Sequence, residues 1–128
     1  MIKFELTKHK TLWNMIISIL HDPTINVYSA ADLKREAFHR LHPEKEEPEE
    51  TCYACEYDEA IADMFTEENR PESCTNCPLI WPDDLICNDD NGLYGKFIYA
   101  CRHGDRFMAI KTATYIRDCP VKENIETV

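Results

Sequence analysis

Only three glycines occur in this 128-residue chain. Sandwiches and barrels turn often and draw on glycine to do it. So few, with 30% charged residues, argue instead for helices. Long apolar runs are missing too. A membrane span needs about eighteen consecutive apolar residues. The most apolar stretch, Leu12 to Leu20, is broken by Asn14 and Ser18. Bases are scarce: 14 Lys and Arg stand against 24 Asp and Glu, a net charge of −10. That balance disfavours binding along a phosphate backbone. Met1 to Lys10 has no apolar segment before a small-residue cleavage site, so no secretory signal is expected and a cytoplasmic location is. There is no P-loop, no glycine-rich dinucleotide turn and no G-x-S-x-G.

Cysteine, by contrast, is plentiful, with seven residues. Four form two pairs, Cys52-x2-Cys55 and Cys74-x2-Cys77, separated by eighteen residues. This is a zinc spacing. Two intervening residues let both sulfurs of a pair face one ion, and Zn²⁺ takes four thiolates tetrahedrally at about 2.3 Å. Four cysteines leave no open coordination position, so the predicted Zn²⁺ is structural and its binding energy becomes folding energy. A redox C-x2-C and a pair of disulfides are the competing readings. The first needs a thioredoxin-like strand and helix around a single pair, and the second an oxidising compartment. Cys87 lies ten residues past the second pair and is an alternative ligand, or a packing thiol. Cys101 and Cys119 have no partner spacing and read as core or surface thiols. His9, His21, His39, His42 and His103 are scattered and read as solvent-facing or capping residues.

Charge is unevenly placed. Pro43 to Asp90 holds sixteen acids and two bases, or −14, while the flanks hold twelve bases against eight acids, or +4. The candidate metal module is therefore the acidic part, whereas nucleic-acid modules are usually basic.

The predicted organisation is mainly α: a small helical domain organised around the four-cysteine zinc site. A helical hairpin spans residues 1–42, an acidic linker 43–51 and a zinc-stapled helical module 52–128. Ile2 to Leu6 alternates loosely and suits one short strand. A helix from Thr7 to about His21 carries Leu12, Trp13, Ile16, Ile17 and Leu20 as one stripe. Ser29 caps a second helix with Leu33, Ala37, Phe38 and Leu41 on its apolar face, ending at Pro43. A third is expected over about Glu56 to Glu68, repeating Tyr57, Ala60, Ile61, Met64 and Phe65. Trp81, in the stiff Pro78 to Pro82 turn, is expected to pack against the zinc knuckle rather than to form a ligand pocket. Asp89 to Gly92 reads as a turn and Leu93 to His103 as a helix, although Gly95 weakens it. Gly104 and Asp105 read as paired caps. The last helix, Arg106 to Asp118, would bury Phe107, Ile110, Ala113 and Ile116, with a frayed tail from Lys122.

The ordered run Cys52-x2-Cys55-Glu56-Tyr57, Cys74-x2-Cys77-Pro78-Leu79-x-Trp81-Pro82, Cys87 and Gly92-Leu93-Tyr94 resembles small zinc-knuckle proteins of tailed phages and prophages of Firmicutes. Gly104-Asp105 and Ile116 to Pro120 extend the match, which covers about Cys52 to Pro120. The resemblance implies zinc at the four cysteines, a mostly helical fold and a phage or prophage origin. It implies no activity.

Two functions follow as expectations. The first is a phage-type accessory or regulatory protein that binds a host or phage protein, its acidic surface engaging a basic groove on a host defence or nucleic-acid enzyme. A plainer role for the acids is solubility. The alternative is a nucleic-acid-binding zinc module using Arg102, His103, Arg106, Lys111 and Arg117, with Tyr94, Phe97, Tyr99 and Tyr115 for stacking. An enzyme is not expected. Metal-assisted hydrolysis needs an open metal position, and although His42-Pro43-Glu44 has deaminase H-x-E spacing, neither pair has the preceding proline.

Overall fold

The computed structural model describes residues 2–26, 29–45, 52–82 and 89–128. Cys87 and the Glu46 to Glu50 part of the expected acidic linker lie outside the described residues. Among the described residues the chain is mainly α: α1 (Leu6–Leu20), α2 (Ala30–Leu41), α3 (Tyr53–Ala62), a 3-10 turn (Glu67–Asn69), α4 (Leu93–Arg102) and α5 (Arg106–Arg117). The expected N-terminal strand does not form. Phe4 instead makes one isolated parallel bridge to Thr127. No helix among the described residues is long and apolar enough to cross a membrane.

α1 buries His9, Leu12, Trp13, Ile16, Ile19 and Leu20. Four of the five residues of the expected stripe are there; Ile17 is only half-buried, and Ile19 and His9 join the buried face. α5 packs against both α1 and α4, α2 against α1 and α4, and α3 against α1. Trp13 links α1 to α4, its ring meeting Phe97 edge-on with centroids 5.2 Å apart. One buried cluster draws on all five helices.

Local signals set most of the ends. Ser29 Oγ accepts the Asp32 backbone N–H at 3.3 Å and opens α2. Gly104 takes φ 67°, and the Asp105 N–H reaches back to the Ala100 carbonyl at 2.8 Å, closing α4. Asp105 then accepts the Met108 N–H at 3.1 Å to open α5. Gly95 weakens α4 by propensity, yet a Cβ there would sit 2.6 Å from the Asp89 and Asp90 carbonyl oxygens. Only glycine lets the preceding turn lie against the helix.

Three expectations give way to longer-range contacts. The buried face of α5 is Ala109, Thr112, Ala113 and Ile116, and Phe107 is 76% exposed. α5 runs close to two neighbours, so small residues win the inner positions. α3 begins three residues earlier than predicted and stops at Ala62, leaving Met64 72% and Phe65 50% exposed. The tail is not frayed. Phe4 N–H donates to Glu126, Val128 N–H to Phe4, and Thr7 N–H to Val128, at 2.8–2.9 Å. The Val128 carbonyl thus serves a first-turn donor of α1, which has no side-chain cap. Arg106 makes a second such tie. Its guanidinium donates to the carbonyls of Leu20, Asp22 and Ile25, satisfying the end of α1 and the loop after it.

His9 departs from its expected exposure. It is 3% exposed, and its Nε2 lies 3.1 Å from the Ile116 carbonyl, which makes that nitrogen the donor. Burial pushes its pKa below 6.5, outweighing the Ile116 hydrogen bond. The unfolded chain therefore binds a proton near pH 6.5 while the folded chain does not. Its contribution is complete above that pH and is lost as pH falls below it. His9→Gln keeps a donor for Ile116 and removes the titration. Urea unfolding between pH 7.5 and 5.5 should show the wild type losing more stability than the variant. Parallel pH profiles would refute this role.

Candidate metal centre

The first pair is built by the start of α3. Cys52 is the N-cap residue, and its Sγ accepts the Cys55 backbone N–H at 3.2 Å. A cap must accept from the first turn, and here a sulfur does what serine or aspartate usually does. This is why the helix starts at the pair rather than after it.

The second pair is held by α3 as well, through a residue that carries no motif. Asp58 is buried, and its two carboxylate oxygens accept the N–H groups of Cys74 at 2.9 Å and Asn76 at 2.7 Å. Cys74 adopts φ 72°, a left-handed conformation that a side-chain-bearing residue takes only when its surroundings impose it. The Cys77 N–H closes the turn onto the Cys74 carbonyl at 3.3 Å. So one helix carries the first pair on its opening turn and orients the second with a carboxylate one turn further along.

Trp81 bears on both pairs. Its indole N–H donates to Cys77 Sγ at 3.4 Å. The same ring lines a cavity of about 230 Å³ together with Cys52, Cys55, His9, Trp13, Lys34 and Tyr94. The Cys77 side of the centre is fixed by the segment after α5. Ile80 N–H donates to Pro120 and Lys122 N–H to Pro78, both at 2.8 Å, around an antiparallel bridge between Leu79 and Val121.

Lys34 is the unexpected member of this cavity. It is 9% exposed, on α2, with Nζ 3.0 Å from the Tyr94 hydroxyl and 5.0 Å from the centre of the Tyr94 ring. Burial acts to lower its pKa. Tyr94, then Cys52 and Cys55, outweigh that and raise it, so the side chain is an ammonium. It stands in a mostly charged run with Asp32, Arg35 and Glu36, all exposed, so the sequence gave no sign that this lysine would point inward.

Cys101 and Cys119 are core thiols. Burial pushes Cys101 up to about 12 and, with help from Cys77 and Asp118, Cys119 up to about 11. Both are therefore neutral thiols at physiological pH and poor nucleophiles. Among the described residues, no group of three or more His, Cys, Asp or Glu side chains is arranged to hold a metal ion. The structure brings Cys52 and Cys55 to one cavity and sets Cys74 and Cys77 on one braced turn. Cys87 lies outside the described residues.

The basic face considered for nucleic acid is partly used up inside the molecule. Phe97 is fully buried, Arg106 is held by three carbonyls, and Arg117 pairs with Asp118 at 2.9–3.0 Å and with Asn14 at 3.0 Å. Arg102, His103 and Lys111 are exposed, as are Tyr99 and Tyr115. No family model, curated protein or solved structure matches this chain.

Proposed function

We propose that this chain is a zinc-stapled binding protein of the phage accessory type, acting on another protein rather than on a small substrate. Cys52, Cys55, Cys74 and Cys77 would hold Zn²⁺, with Cys87 the alternative ligand. The donor set suits zinc, since soft thiolates in a fourfold set are its usual structural ligands. Support comes from the N–H groups aimed at two of the sulfurs and from Asp58 bracing the second pair. Donors to sulfur and orienting carboxylates are the usual surroundings of a thiolate metal site. The metal would supply cross-linking energy and no reaction chemistry, because four protein ligands leave it no open position.

The observation that carries the binding role is the stretch Asp63 to Glu68 after α3. Every residue of it is exposed, and Met64 and Phe65 stand in solvent beside Glu67 and Glu68. Solubility explains the acids but not two large apolar side chains among them. Apolar anchors within a negative field suit a basic protein groove: the charges speed and orient encounter, and the apolar groups slow release. A phage or prophage origin, inferred from the resemblance at residues 52–120, would place that partner in the host cell.

The test is a pull-down from host lysate, treated with nuclease, at low and high salt. The wild type should retain a protein at low salt. Retention should fall at high salt and in the Met64→Ser, Phe65→Ser double variant. Equal recovery by the variant, or no partner in either salt, would overturn the reading. Retention that vanishes on nuclease treatment would favour the nucleic-acid alternative through Arg102, Lys111, Tyr99 and Tyr115.

A further inference from the structure

We propose that Lys34 is the counter-cation of the metal–thiolate centre, tying metal retention to the packing of the N-terminal helical hairpin. This inference rests on the metal reading above and adds a role for a residue outside the cysteine motif.

An ammonium loses much hydration when buried, and folds keep one inside only where something offsets the loss. Among the described residues, little is supplied at Lys34. Tyr94 gives one hydroxyl and a ring face. None of the ion pairs among the described residues brings a carboxylate to it. The groups that share its cavity include His9 and, on α3, the thiols of Cys52 and Cys55. As neutral thiols these are weak partners. As metal-bound thiolates they are anionic, and a Zn²⁺ held by four thiolates carries a net charge of −2. One buried positive charge beside the first pair is what such a centre needs inside an apolar wall of Trp13 and Trp81. The chain is acidic overall, and α2 could have presented any of its exposed positions to solvent. It instead turns a lysine inward at the cavity where the thiolates lie.

The placement also has a structural consequence. Lys34 sits on α2, its hydroxyl partner on α4, and the thiols on α3. Charge on the sulfurs therefore acts across three helices that otherwise share few direct contacts. Loss of metal would leave the ammonium without its anion and loosen α2, whereas a Lys34 that serves only to fill space would not notice the metal.

The experiment measures zinc affinity by competition with a chromogenic chelator, using full-length wild type, Lys34→Met and Lys34→Gln. Methionine matches the lysine stem in length without charge, and glutamine keeps a donor for Tyr94. Both variants should lose zinc affinity by about 10- to 100-fold, the range seen when outer partners of a metal site are removed. A space-filling lysine predicts the reverse for Lys34→Met, since removing a buried charge firms the fold and holds zinc at least as tightly. Wild-type affinity in both variants would overturn the proposal. If Lys34→Met fails to fold with excess zinc, Lys34→Gln decides. A wild type that takes up no zinc would instead overturn the metal reading itself, a separate and recognisable result.

Discussion

With the proposed zinc at the four cysteines, a strong chelator should abolish the cooperative thermal transition of this protein, and Cys52→Ser, Cys55→Ser, Cys74→Ser and Cys77→Ser should each do nearly the same. A structural zinc contributes about 10–16 kcal/mol of apparent binding energy at neutral pH. Total stability of a domain is about 5–15 kcal/mol. The metal term is as large as the whole balance, so its removal should unfold the chain. The neighbourhood supports such dependence. The turn at Cys74 is left-handed, and an eighteen-residue loop must be closed between the pairs. Circular dichroism melts with and without chelator read the effect. Cys101→Ala is the control, because it removes a buried core thiol with no part in the centre, and it should cost only about 1 kcal/mol, as for a small core truncation. A sharp melt at an unchanged temperature after chelation would count against a metal staple.

Asp58→Ala should be the most damaging substitution outside the cysteines, at about 3 kcal/mol or more. Two backbone N–H groups, of Cys74 and Asn76, donate to the Asp58 carboxylate. Hydrogen bonds to a charged group contribute about 1.5–3 kcal/mol each, and the variant leaves both donors orphaned. Asp58→Asn should recover less than half of the loss. Its amide nitrogen would face a backbone N–H where an oxygen had been, donor against donor. Urea unfolding in excess zinc measures the stability, and chelator competition on the same variants should show weaker metal retention. A loss below about 0.5 kcal/mol would mean that the carboxylate is not what holds the second turn.

The parts legible in the sequence were those whose cause is local. Ser29, Gly104 and Asp105 act on groups three to five residues away, so their motifs sufficed. The α1 stripe follows from helical periodicity alone. The long-range ties of the fold and of the candidate site are different in kind. Asp58 meets its partners 16 and 18 residues on, Arg106 reaches back more than 80 residues, and His9 and Ile116 are separated by 107. Each looked like an ordinary surface residue because its partner is brought to it only by the fold. Phe107 shows the converse error. It sits at an apparently suitable helical spacing, but α5 faces two close neighbours and turns its alanines inward instead. The chain after Lys122 misled for a third reason. A single bridge from Thr127 to Phe4, with another at Val121 to Leu79 just before it, fixes it, and isolated bridges leave no periodic pattern to read.

The cysteine spacing itself remains the strongest statement in the sequence, and metal content tests it most directly. Elemental analysis of the natively purified wild type and of six single serine variants, at Cys52, Cys55, Cys74, Cys77, Cys87 and Cys119, would decide it. The expected result is one zinc per chain in the wild type, loss in the first four variants and retention in the last two. A wild type without metal, or a Cys87→Ser protein that loses zinc while one of the four does not, would contradict it.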